Sequence, residues 1–520
     1  MDDFRLVYLT ERRAYGVEEL SKCVGSQLSA SADAASWLNR GFFSRFAEAM
    51  NRSAKIVETK DDSFLFGFVG LFDYLDEPTG KNVTFFFMPK FCNIGNGKSV
   101  SSEMRDAVLL AIDRFSRESE LPEVIGEATQ DHAESLLELA VRVLRDYLEN
   151  GVYTVRRREL EHNGQGEIDW DTTIDQYQPV FQNGRPVYMD TATELALSDE
   201  DHYITRLHQS LVTTWGRKLE ELGLATVLQV NVPLLSEYEL DRFGDAEIQI
   251  GRIRKEMDVQ FVTKSRHTLS LMKELVERAS NNEQDHVEQL SFGVSKAEHL
   301  WETACAEVLG SMLDKPICEC GLERETNVTF RDYMPRPIWK QVGKDAFSND
   351  DDAYSEKSGW RLDFIRTWPS HEKVEKLVIL DAKYYNVSWP DGGSITGQPG
   401  IGDIAKQIFY QMAFQDLIKD KEMGFVNAFL FPEDEESKDC QKNDAGHPTI
   451  RVSETVQLGW ADGKTILEEA RAFSGVNLFA VRIPGIELFR RYAHYEGAKD
   501  WFSTIATVDT DKLLGDADKK

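Results

Sequence analysis

The run Leu377-Val-Ile-Leu-Asp381-Ala382-Lys383 reads as a strand whose apolar side chains give way abruptly to charge. Strand side chains alternate, so Asp381 and Lys383 share one face while Ala382 points the other way. A second acid, Asp363, sits in Gly359-Trp-Arg-Leu-Asp363-Phe-Ile on the preceding apolar segment. The short polar connection Pro369 to Lys376 lets the two segments pair as a hairpin, which brings both carboxylates together. Two carboxylates so placed can hold a hard divalent cation, Mg²⁺ or Mn²⁺, with open positions for water and a phosphate oxygen. A lysine beside them can orient that water and balance charge growing on a phosphate. A bare Asp-x-Lys is common, and taken alone it reads as a strand with an incidental ion pair.

Three further features add weight. In His299-Leu-Trp-Glu302-Thr-Ala-Cys305-Ala-Glu307, the residues Leu300, Trp301, Ala304, Cys305 and Val308 fall at helical spacing, which places Glu302 next to an apolar stripe. The loop Thr396-Gly-Gln-Pro-Gly-Ile-Gly-Asp403 precedes a helical pattern in which Asp403 reads as the N-cap. Gln407, Tyr410, Gln411 and Phe414 then share a face that can meet a DNA backbone or buttress the catalytic strand. Finally, the chain order is acid on a helix, acid, Asp-x-Lys on a hairpin, then Gln-x-x-Tyr on a helix.

That order resembles the PD-(D/E)XK nuclease core, with Leu362 standing where the pattern has proline. More widely, Leu300-Trp-Glu302, Pro335-Arg-Pro-Ile-Trp339, Leu380-Asp-Ala-Lys-Tyr-Tyr-Asn386 and Gly397-Gln-Pro-Gly-Ile-Gly-Asp-Ile-Ala-Lys-Gln407 resemble the LlaJI-type restriction endonuclease family, which is related to the McrC nuclease subunit. Gly164-Gln-Gly-Glu-Ile-Asp169-Trp170, Pro186-Val-Tyr188 and Arg206-Leu-His208 extend the likeness upstream, over roughly residues 60 to 430. The resemblance implies an α/β, multidomain protein. Its C-terminal half would carry a restriction-endonuclease-like mixed sheet flanked by helices. It also implies cleavage of double-stranded DNA in restriction and phage defence, with a separate McrB-like AAA+ GTPase or ATPase subunit. Carried over by position, Asp363 and Asp381 would bind the metal, Glu302 would complete or tune the site, Lys383 would be the catalytic lysine, and Gln407 a supporting polar residue.

Composition bounds this picture. At 520 residues and 41% hydrophobic, the chain can bury a large core in roughly two to four domains. No apolar run is long enough to span a bilayer, and Met1-Asp-Asp-Phe-Arg lacks the start of a secretory signal, so cytoplasm is the expected compartment. Six scattered cysteines suit a reducing interior, and Cys318-Glu-Cys320 lacks the second pair that a structural zinc site needs. The net charge of −29 opposes nucleic-acid binding unless cations gather on one face. Arg156 to Arg158, Arg252-Ile-Arg254-Lys255 and the group Arg331, Arg336, Lys340 are such gatherings; the runs Asn349 to Asp352 and Glu433 to Glu436 read as solvated acidic loops. An acidic nuclease of this kind should rely on a partner to deliver its substrate.

Gly95-Asn-Gly-Lys98-Ser99 imitates a phosphate-binding loop, but Cys92 replaces the first glycine and no second magnesium-binding strand follows, so a polar strand-to-helix loop is the better reading. Expected divisions are 1–150, a partner- or DNA-contacting α/β domain; 151–290, a middle domain closed by the linker Ser280 to Asp285; 291–505, the nuclease domain; and 506–520, a disordered tail. The reaction expected is one-step hydrolysis of a phosphodiester by metal-activated water. A RecB-like repair nuclease and a scaffold that stimulates an AAA+ motor through a vestigial pocket are the alternatives, and oligomers are compatible with each.

Overall fold

The computed structural model describes residues 6–27, 37–53, 56–60, 62–94, 100–119, 135–284, 289–322, 327–335, 360–369, 374–388, 396–418, 423–437, 440–456 and 478–508. The loop 95–99, the cations Arg336 and Lys340, the acidic run 349–352 and the tail from 509 lie outside these residues, as do the side chains of Arg156, Arg157 and Arg158.

Two compact units are formed. The first comprises Met1–Arg5, Asp73–Thr84 and Ala133–Phe292. Its helix α1, Leu136–Asn150, begins at a capping box: Ser135 accepts from the Glu138 backbone N–H, and the Glu138 carboxylate accepts from the Ser135 N–H. Helices α2 (Tyr203–Glu221), α3 (Ala246–Val259) and α4 (Thr263–Gln284) follow. Residues 280–284, expected in a linker, are the last turn of α4, because Asn, Glu and Gln do not break a helix as Gly or Pro would. Between α1 and α2, Val155–His162, Ala192–Asp199 and Glu167–Ile168 make a three-stranded antiparallel sheet.

The second unit comprises Leu6–Phe72, Phe85–His132 and Gly293–Lys520. Near its start an aromatic core forms where Phe46, on the helix Arg40–Ser53, stacks on Phe85 at 4.3 Å. Further on comes helix α5, Ala297–Leu309. A five-stranded mixed sheet is then built from β1 (Phe364–Trp368), β2 (Lys376–Ala382), β3 (Gly424–Glu433), β4 (Arg451–Val456) and β5 (Leu478–Pro484), in the order β1-β2-β3-β5-β4. β1 and β4 run antiparallel to their neighbours, while β2, β3 and β5 are mutually parallel. Helices α6, Ile401–Ala413, and α7, Gly485–Ala493, complete the elements used below.

Leu377, Val378, Ile379 and Leu380 are fully buried, each contributing about 2 kcal/mol of apolar burial. Leu377 and Ile379 join one core cluster with Tyr410 and Phe414, which follow from α6. Strand alternation carries Asp381 and Lys383 onto that same face, at the end of the cluster. The molecule is thus an α/β protein with a mixed sheet and flanking helices in its C-terminal half, as expected.

Candidate active site

The hairpin register determines which acids meet. β1 and β2 pair with Phe364 opposite Leu380, so Asp363, one residue before β1, falls in line with Asp381. Oδ2 of Asp363 accepts the backbone N–H of Ala382 at 2.9 Å, and the two carboxyl groups share a hydrogen bond. Burial, and then the neighbouring charges of Asp381 and Glu302, hold the Asp363 carboxyl well above the usual range.

Lys383 lies between two acids. Its Nζ is 2.8 Å from Oδ2 of Asp381 and 3.2 Å from Oδ1 of Asp403. Burial would depress the amine, but those two carboxylates outweigh it and hold Lys383 above its ordinary value, protonated at neutral pH. Asp403 departs from the expected role: Gly400 is the N-cap of α6, which leaves Asp403 in the first turn with its side chain directed to the amine. Tyr385 Oη donates to the other Asp403 oxygen at 3.3 Å, tying the helix to the segment after the strand.

Glu302 is positioned by its neighbour. Trp301 is fully buried, with its ring 6.3 Å from Tyr384 and 6.1 Å from Phe91. The side chain of Glu302 remains 38% exposed and lies 3.5 Å from Nδ1 of His299, which it holds above the usual imidazole range. It therefore acts on Asp363 through its charge, and no direct bond between the two is formed among the described residues.

Gln407 is wholly buried, and its amide donates to the Ala428 carbonyl of β3 at 3.5 Å. Asn427 of β3 reciprocates, donating to the Gln407 carbonyl and to Oε1 of Gln411, both at 3.1 Å. Of the two possibilities for this helix face, buttressing the sheet is the one the packing supports. Tyr410 is buried beside it and donates to the Arg361 carbonyl. Burial, and then Asp381 and Asp363, push its phenol up.

Asp363, Asp381, Lys383 and Asp403 are thus gathered, Glu302 stands at the margin, and Gln407 lies behind. Asp403 and Tyr385 escaped the sequence reading as site residues. The available signal is an acid in the first turn after a glycine-rich loop, a position that a helix cap equally explains. Among the described residues no three His, Cys, Asp or Glu side chains converge as a ready-made ligand set. The Asp363 and Asp381 pair nevertheless suits magnesium, which takes oxygen donors and is commonly held by one or two carboxylates together with waters and substrate phosphate. A carboxyl raised by burial and then by adjacent acids marks a place where added positive charge is favoured. Tyr385 to Ser388 also line a cleft of about 1030 Å³, to which Arg12, Arg13 and Lys90 contribute cations.

A buried acid pair and a clamped lysine thus lie together at one end of the mixed sheet, and the family match places the chain among restriction nucleases. The chain belongs to the LlaJI restriction endonuclease family, whose model matches residues 68–445. It is 26% identical over 386 residues to the type II restriction enzyme BsuMI component YdjA of Bacillus subtilis (strain 168), covering 72% of this chain and 74% of that protein. Among solved structures it is similar to the cryo-EM structure of the Thermococcus gammatolerans McrBC complex, at 13% identity, over 57% of this chain and 84% of that one, with a TM-score of 0.22, too low to support a structural comparison.

Proposed function

We propose that this chain is a magnesium-dependent endodeoxyribonuclease of PD-(D/E)XK type, the cutting subunit of a restriction or anti-phage system. The observation that carries the reading is Lys383 clamped by Asp381 and Asp403 beside the protonation-prone Asp363. Asp363 and Asp381 would hold Mg²⁺ or Mn²⁺, with Glu302 tuning their charge. A bound cation would supply positive charge at the phosphate and lower the pKa of a water. Lys383, kept protonated, is suited to orient that water and offset charge developing on the phosphate oxygens. Asp403 and Tyr385 keep the amine in place, while the buried Gln407 and Asn427 tie the helix that carries Asp403 to β3 and Tyr410 ties it to Arg361, two residues before Asp363.

A net charge of −29 and the description of the Bacillus relative as a component favour a partner subunit, here an AAA+ NTPase, that brings duplex DNA to the site. Cytoplasmic residence fits this role. The test is conversion of supercoiled plasmid with magnesium, comparing wild type with Asp381→Ala and Lys383→Ala. Loss of nicking by at least about a thousandfold in both variants is expected, from removal of charge stabilisation in the transition state. Undiminished nicking by either would place the chemistry elsewhere.

A further inference from the structure

The turn between α3 and α4 exposes three apolar side chains together: Val259 at 66%, Phe261 at 84% and Val262 at 58%. Single exposed apolar residues are ordinary, but a contiguous group on a projecting turn is usually an interaction surface. The turn is also firmly built. Oε1 of Gln260 accepts the backbone N–H groups of Phe261 and Val262 at 3.1 and 3.2 Å. Its Nε2 donates to Tyr153 Oη at 3.2 Å, and its carbonyl accepts from Arg266 at 3.3 Å. Phe261 is therefore held outward by the bonds that Gln260 makes on either side of it.

Exposed Arg252, Arg254, Lys255, Lys264 and Arg266 form a basic collar in the adjoining sequence, with Arg254 paired to Glu277 at 2.9 Å and Arg252 lying over the Tyr203 ring. The acids in the same stretch are Glu256 and Asp258, and Glu256 turns inward, accepting from Tyr153 Oη at 2.7 Å. In a chain of net charge −29 this concentration of cations fits a polyanion better than an apolar protein pocket, which would need the three apolar side chains but not their collar. Duplex DNA satisfies both parts, since its phosphates take the cations and an apolar wedge can enter between base steps.

We propose that this turn is a DNA-contacting wedge, with Phe261 as the inserting ring and Lys255 and Lys264 among its phosphate contacts. The proposal rests on the DNA-cleaving reading above and adds a contact made by the other unit. It is tested with the full-length protein, in chelator so that nothing is cut, on duplexes carrying 2-aminopurine, with affinity measured between about 50 and 200 mM salt.

Lys255→Ala with Lys264→Ala should lower the slope of log affinity against log salt by about two. Phe261→Ser should weaken binding roughly tenfold, leave the slope unchanged and abolish the 2-aminopurine brightening of unstacked bases. Both variants alter exposed positions, and unchanged melting temperatures should verify their folding. If wild type binds and cuts DNA but the variants match it in affinity, slope and brightening, the wedge is wrong and the nuclease reading stands. If the variants impair only association with a protein, the turn is a protein-docking surface and the proposal falls. If wild type neither binds nor cuts duplex even with an NTPase partner and nucleotide added, the DNA reading itself fails.

Discussion

Lys383 has two carboxylate anchors, and the second distinguishes holding the amine from charging it. Asp403→Ala removes the contact at 3.2 Å but leaves Asp381, so single-turnover plasmid cutting should slow by roughly 10- to 100-fold with little change in DNA affinity. A second residue-scale consequence concerns His208, buried in the first unit, where its Nδ1 accepts the Tyr153 N–H at 2.9 Å. Burial pushes this imidazole down to about 4. The unfolded chain, titrating near 6.5, then binds the extra proton first, so stability is full above that value and is lost as pH falls from about 6.5 toward 4. Urea unfolding of wild type should show a loss of about 2 kcal/mol between pH 7 and 5 that His208→Gln lacks, after allowing for its own lower stability. Asp363, Asp381 and Lys383 were legible as a group because strand alternation and a short hairpin are local rules. Asp403 was not, because its bond to Lys383 joins a helix turn to a strand, and no local spacing encodes that meeting.

At the scale of elements, apolar-periodic segments declared themselves: β2, α5 and α6 lie close to where their patterns place them. Helix α3 went unread, since only Gln249 and Ile253 are buried along it and a nearly all-exposed helix has little apolar period to display. The C-terminal turn of α4 passed for a linker for a related reason: polar composition marks solvent, which both loops and helix surfaces face. The start of α1 rests on a stronger local device, the reciprocal Ser135 and Glu138 bonds. Ser135→Ala should cost about 1 kcal/mol, seen as a lower denaturant midpoint with an unchanged slope.

On the scale of the whole molecule, the chain passes between its two units more than once, a path that composition shifts and turn residues do not reveal. Charge was legible, and its implication is kinetic. An acidic protein with local cations should meet free duplex slowly. The isolated chain with magnesium is expected to cut weakly, and addition of the proposed NTPase partner with nucleotide to raise the rate; strong specific cutting by the chain alone would refute delivery by a partner. The Trp301 and Tyr384 rings carry a last consequence. Glu302 directly follows Trp301 and Lys383 directly precedes Tyr384, so the helix and the end of the strand are joined by an aromatic rivet immediately beside their charged groups. Disturbances elsewhere should shift acid and amine together, preserving their spacing, and variation at Trp301 or Tyr384 should detune the chemistry without touching a charged group.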